Sequence, residues 1–206
     1  MSHDPPLSPS QKKIDNGGTP MTAKRLHNEN EVRAALGDLA QTLVAQVSTP
    51  PSEWVLVGIH RRGVPLAHRL AAVLEERGVP SLPVGSLDIT FYRDDSGEAS
   101  LHPVVQETNL PFDVSGKIVF LVDDVLFSGR TIRCALDELM DFGRPARVYL
   151  VVLADRGHRE LPIQADFIGK TIPTEREERV DVHLTEIDGE DAIWLSPPGE
   201  RKGQKG

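Results

Sequence analysis

The strongest constraint on the fold is an alternation of short continuous apolar runs with stretches of helical period. Trp54 to Ile59, Lys117 to Asp123 and Arg147 to Ala154 are apolar runs bounded by turn residues, as strands buried on both faces require. Between them, Pro65 to Arg77 and Arg130 to Phe142 repeat apolar residues at helical spacing. Pro65 suits a first turn and Gly78 a helix end, and Leu136, Leu139 and Met140 share one side of the later helix. An earlier helix over 30–47 places Val32, Leu36, Leu39, Leu43 and Val47 on one face, with Asn28 or Asn30 as its cap. Strand, helix and strand in alternation predict an α/β fold with a mainly parallel, doubly wound sheet. Leu82 to Thr90 reads as a further strand. After Asp155 the pattern breaks into short pieces, 165–169, 179–184 and 192–195, separated by acidic turns, which predicts a small appended lobe.

The chain of 206 residues suits one such domain over 26–196. Residues 1–25 hold four prolines and little to bury, so a disordered tail is expected there, and a shorter one over 197–206. Residues 91–111 have no period and read as a long loop, a length that within a domain usually serves function. No apolar run is long enough to cross a bilayer, and no secretory leader opens the chain. The single Cys134 cannot pair internally and fits packing in a reducing cytoplasm. The net charge of −8 argues against general, sequence-independent nucleic-acid binding, while leaving room for a local basic patch. The acidic stretch from Glu175 to Asp191 reads as a solvated face.

Chemistry concentrates between Val119 and Thr131. A buried strand carries Asp123 and Asp124 to its carboxyl end, where open α/β sheets bind ligands. A turn with Ser128 and Gly129 then starts a helix whose N–H groups and dipole favour a phosphate. Ser128 and Thr131 can donate to the same oxygens. The two acids suit ribose hydroxyls or a magnesium ion shared with a pyrophosphate. Together these features suit a ribose 5-phosphate. There is no Gly-x-Ser-x-Gly, His-Glu-x-x-His or Cys/His ligand cluster.

The string resembles the 5-phosphoribosyl-1-pyrophosphate (PRPP) signature of type I phosphoribosyltransferases. With 88–95, 155–162 and 165–174 it resembles the bifunctional pyrimidine operon regulatory protein/uracil phosphoribosyltransferase family, over about residues 30–195. That resemblance implies a type I phosphoribosyltransferase fold with a small hood lobe (about 158–195) and a flexible flap (about 91–111). It implies formation of UMP and pyrophosphate from uracil and PRPP with Mg2+. Asp123 and Asp124 match the acids at the ribose and metal. Val125, Leu126, Phe127, Ser128, Gly129, Arg130 and Thr131 match the 5′-phosphate loop. Arg61, Arg62 and Gly63 match the pyrophosphate loop, where the family usually has Thr-Arg-Gly. Arg93, beside Tyr92 in the flap, is expected to reach the pyrophosphate, and Arg144 the substrate. Phe167 and Ile168 are expected to flank and read the uracil. The resemblance further implies binding to a leader mRNA stem-loop promoted by UMP or UTP, through Arg156, His158 and Arg159 with Lys170 nearby, in a cytoplasmic homodimer or higher homo-oligomer. Three other readings keep the fold: a catalytically weak RNA-binding nucleotide sensor, a PRPP sensor without catalysis, and a transferase for another base.

Overall fold

The computed structural model describes residues 23–89 and 107–198. Its centre is a five-stranded parallel sheet in the order β3-β2-β4-β5-β6. The strands are β2 (Trp54–Ile59), β3 (Val84–Leu87), β4 (Ile118–Leu126), β5 (Arg147–Asp155) and β6 (Phe167–Thr171). β4 is central, pairing Leu56 with Phe120 on one side and Leu121 with Leu150 on the other.

Period-two alternation divides the core. Ile118, Phe120 and Val122 turn to one face, under α1 (Glu29–Gln46) and α2 (Gly63–Glu76). Val119 and Leu121 turn to the other, under α3 (Arg130–Asp141). Helices on both faces make the sheet doubly wound, as expected. Asn28 caps α1 through a complete capping box with Glu31. Gly78, at φ 86°, follows the end of α2. Cys134 is buried in the α3 face of the core. Met140, expected among apolar neighbours, is 48% exposed, because α3 buries Ile132, Cys134, Ala135 and Leu139 instead.

The second sheet differs most from expectation. It is antiparallel, in the order β1-β8-β7, from β1 (Lys24–His27), β8 (Ala192–Ser196) and β7 (Arg179–His183). Lys24 and Arg25, assigned above to the tail, pair with Leu195 and Trp194. Phe167 to Thr171, assigned above to the hood, instead extends the main sheet beside β5. The hood therefore draws on both ends of the described chain, and α4 (Thr185–Asp188) joins β7 to β8. The tail over 1–22, most of the flap (90–106) and residues 199–206 lie outside the described residues. Among the described residues, no helix is long and apolar enough to cross a membrane.

Candidate active site

β4 runs through the acid pair and ends at Leu126, so Asp123 and Asp124 stand at the carboxyl end of the central strand. Asp123 is 6% exposed, and one of its oxygens accepts the Asp124 N–H at 2.9 Å. Asp124 likewise accepts the Val125 N–H at 2.9 Å. These local bonds fix both carboxylates at the mouth of a cleft of about 240 Å³. Its near wall is Val125, Phe127 and Thr131; its far wall is Val180, Asp181 and Val182 of the hood. Arg62, Arg156 and Arg179 add cations.

The turn from Phe127 to Gly129 feeds directly into α3. Gly129 holds φ at 91°, a left-handed conformation that costs glycine little. A side chain there would also press on the Cβ of Ile163 at 3.3 Å. The Ser128 carbonyl accepts from Glu160 N at 2.9 Å and Leu161 N at 3.2 Å, so its peptide is tied from behind. The Leu126 side chain is core, and it is the Leu126 carbonyl that takes part, accepting from Arg156 N at 3.1 Å. The Arg130 guanidinium turns out to Glu160 at 2.8 Å.

The loop after β2 approaches β4 from the other side. A Cβ on Gly63 would lie 2.3 Å from the Val122 carbonyl oxygen, so only glycine lets this loop sit against the strand. The His60–Arg61 peptide is cis. Arg62 turns into the cleft and pairs with Asp188 of α4 at 2.7 Å. Its burial opposes its charge, and the bond to Asp188 with the field of Asp124 outweighs that and raises its pKa. Arg61 is exposed and lines a neighbouring cavity of about 410 Å³ with His60, His68 and Glu186. Burial lowers the His60 pKa.

The acidic hood stretch is thus not merely a solvated face. Arg69 of α2 holds Asp191 through two bonds at 2.6 and 2.8 Å and Glu186 through two at 2.8 and 2.5 Å. Asp191 is pulled down to about 2, first by Arg69 and also by the Thr185 N–H and hydroxyl. Arg69 and Arg62 together clasp the hood to the core.

Several expected site residues lie elsewhere. Phe167 is 4% exposed and packs edge-on to Tyr149 at 5.6 Å, inside an aromatic cluster with Phe120 and Trp54. Ile168 is 39% exposed, and neither residue lines the cleft. The cleft wall opposite the acids belongs to β7, whose Val180 and Val182 gave no signal beyond an ordinary strand pattern. Arg144 is exposed, and its carbonyl accepts from Gly116 N at 2.9 Å. It precedes β5, at the amino end of the sheet, away from the acids. Arg93 lies outside the described residues.

The expected solvent-facing cation group is also turned inward. Arg156 is 6% exposed, stacks its guanidinium over Phe127 at 4.1 Å and donates to the carbonyls of Glu175 and Arg176. Its Nε is buried without a hydrogen-bond partner. Arg159 is engaged by carbonyls and Asp155, His158 Nε2 lies 2.7 Å from the Thr174 carbonyl, and Lys170 is half-buried on β6. These residues build the site's framework rather than an open basic surface.

A parallel sheet with an acid pair at its carboxyl end, a glycine turn at a helix N-terminus and a separate hood defines a phosphoribosyltransferase, and residues 22–186 match the phosphoribosyl transferase domain family. Among solved structures, the hypoxanthine phosphoribosyltransferase of Trypanosoma cruzi superposes with a TM-score of 0.65 at 19% identity, covering 87% of this chain and 94% of that one. That of Staphylococcus aureus gives 0.63 at 20%, covering 85% and 91%. These likenesses concern the fold. In sequence, the chain is 53% identical over 178 residues to the Bifunctional protein PyrR of Thermus thermophilus, covering 86% of this chain and 96% of the relative. The protein of that name from Deinococcus radiodurans is 47% identical over 180 residues, covering 86% and 98%. The chain therefore belongs to the Bifunctional protein PyrR family of phosphoribosyltransferases.

Proposed function

We propose that this protein transfers the phosphoribosyl group of PRPP to uracil, forming UMP and pyrophosphate, and that uridine nucleotide in the same cleft governs binding to a leader mRNA stem-loop. The observation that carries the first part is the placement of Asp123 and Asp124 between a phosphate loop at a helix N-terminus and a cleft walled by the hood. In this reading Asp123 and Asp124 take the ribose hydroxyls, and the turn from Val125 to Thr131 takes the 5′-phosphate. Arg61, Arg62 and Gly63 receive the pyrophosphate. N1 of uracil forms the bond to C1′, the C1′–O bond to pyrophosphate breaks, and the N1 proton leaves to solvent. The transition state has oxocarbenium character, so the residues act by position and charge, and no protein nucleophile is required. β7 supplies backbone groups around Val180 and Val182 that can pair with the alternating donors and acceptors of uracil. Arg156 brings a buried donor to the same wall.

Two adjacent carboxylates are a fitting partial shell for Mg2+, which keeps waters and substrate oxygens among its ligands. Among the described residues no cluster of three metal-ligating side chains occurs, which suits an ion arriving with PRPP. Bound there, magnesium would neutralise charge on the pyrophosphate. Arg93 of the flap is proposed to add to that neutralisation.

The shared name of the relatives, Bifunctional protein PyrR, supports the second activity. The lone buried Cys134 fits a cytoplasmic home, and a homodimer or higher homo-oligomer is proposed. The decisive assay is UMP formation from uracil and PRPP with Mg2+, beside Asp123→Asn/Asp124→Asn. Product from the wild type and none from a folded double variant supports the reading. A folded wild type that binds PRPP without forming UMP overturns it. Leader RNA gel shifts with and without UMP test the second activity.

A further inference from the structure

The segment from Asp155 to Ile163 folds behind the phosphate loop, with Arg159 at its centre. All three guanidinium nitrogens are engaged. Nε donates to the Ile163 carbonyl at 3.0 Å. Nη1 donates to the carbonyls of Phe127 at 2.9 Å and Gly157 at 3.1 Å, with Leu126 O at 3.5 Å. Nη2 donates to the Asp155 carboxylate at 2.5 Å. A tight reversal makes this reach possible: Gly157 and His158 both have positive φ, at 77° and 61°.

A trans peptide is planar, with its C=O and N–H pointing in opposite directions. Drawing the Phe127 carbonyl back toward Arg159 therefore turns the Ser128 N–H to the other side of the loop. Holding the Leu126 carbonyl does the same for the Phe127 N–H. These donors lie in the turn that meets the phosphate.

We propose that Arg159 is a positioning residue for the nucleotide 5′-phosphate: it orients the peptide planes of residues 126–128 so that their N–H groups face the phosphate. This rests on the reading of that turn as the phosphate site. Arg159 touches no substrate itself. The pyrophosphate loop, packed against Val122 from β2, has none of these contacts and is independent of it.

The test is calorimetric titration of the full chain with UMP, with uridine, which lacks the phosphate, and with pyrophosphate. Arg159→Ala is expected to bind UMP about tenfold more weakly, with uridine and pyrophosphate unchanged within about twofold. Arg159→Lys keeps the charge but cannot serve the carbonyls of Phe127 and Ile163 together, so the selective loss persists in smaller size. The lysine variant carries the test if the alanine variant does not fold. Unchanged UMP affinity in the folded variant, or an equal loss for uridine and pyrophosphate, overturns the proposal. A wild type that binds uridine and UMP equally well would instead strike at the phosphate-loop reading itself.

Discussion

The clasp between Arg69 and Asp191 gives a prediction whose size follows from the site. The Asp191 carboxyl falls from an ordinary 3.8 to about 2, chiefly through Arg69. Converted by linkage, that drop is about 2 kcal/mol of folding stability. The Asp191 side chain is only 10% exposed but Arg69 is 22% exposed, so solvent screening reduces the expected contribution to about 1–2 kcal/mol. The sign is that of a depressed acid: the contribution is complete above the unfolded value near 3.8 and disappears as pH falls through about 2. Asp191→Asn removes the titration while keeping the shape. Urea unfolding of the wild type and the variant at pH 6 should differ by about 1–2 kcal/mol. At pH 3 the difference should shrink to roughly half. Other acids titrate in both proteins and cancel in the comparison. A difference equal at both pH values, or absent at pH 6, would refute the argument that the Arg69–Asp191 ion pair fastens the hood.

Other substitutions separate the parts of the site. Gly63→Ala must push its Cβ away from the Val122 carbonyl, 2.3 Å distant, and should cost about 1–3 kcal/mol in thermal melts while raising the KM for PRPP. Arg62→Gln should weaken pyrophosphate, measured as product inhibition, about tenfold. It should also unpair Asp188, which a smaller loss of stability on adding salt than in the wild type would report. Phe167→Leu should cost about 1 kcal/mol in urea unfolding and leave the KM for uracil unchanged, because Phe167 belongs to the aromatic core. A uracil KM raised severalfold by that substitution would return Phe167 to the base pocket.

The inner strands β2, β4 and β5 were legible because they are buried for most of their length and appear as unbroken apolar runs. The acid pair was legible because strand, acids, small-residue turn and helix occur in one contiguous string. What escaped the sequence depends on partners distant in the chain. Lys24 to His27 has no strand pattern and becomes a strand only by pairing with Ile193 to Leu195. Phe167 looks equally suited to a pocket or a core, and the rings of Tyr149 and Phe120 decide it. Arg156 and Arg159 look like surface cations because a sequence shows the charge, not the carbonyls that fill its donors. The acids near Asp188 read as solvated because Arg62 and Arg69 lie more than a hundred residues earlier.

The hood sheet interleaves β8 between β1 and β7, so its middle strand is the latest in chain order among the described strands. During translation the acid pair and the glycine turn emerge well before β7, which walls the cleft facing them, and before β8, which completes the β7 sheet. The early strand β1 therefore waits through most of synthesis for its neighbour β8. Under the proposed function, ligand affinity should arise in two stages along the growing chain, phosphate recognition before base recognition.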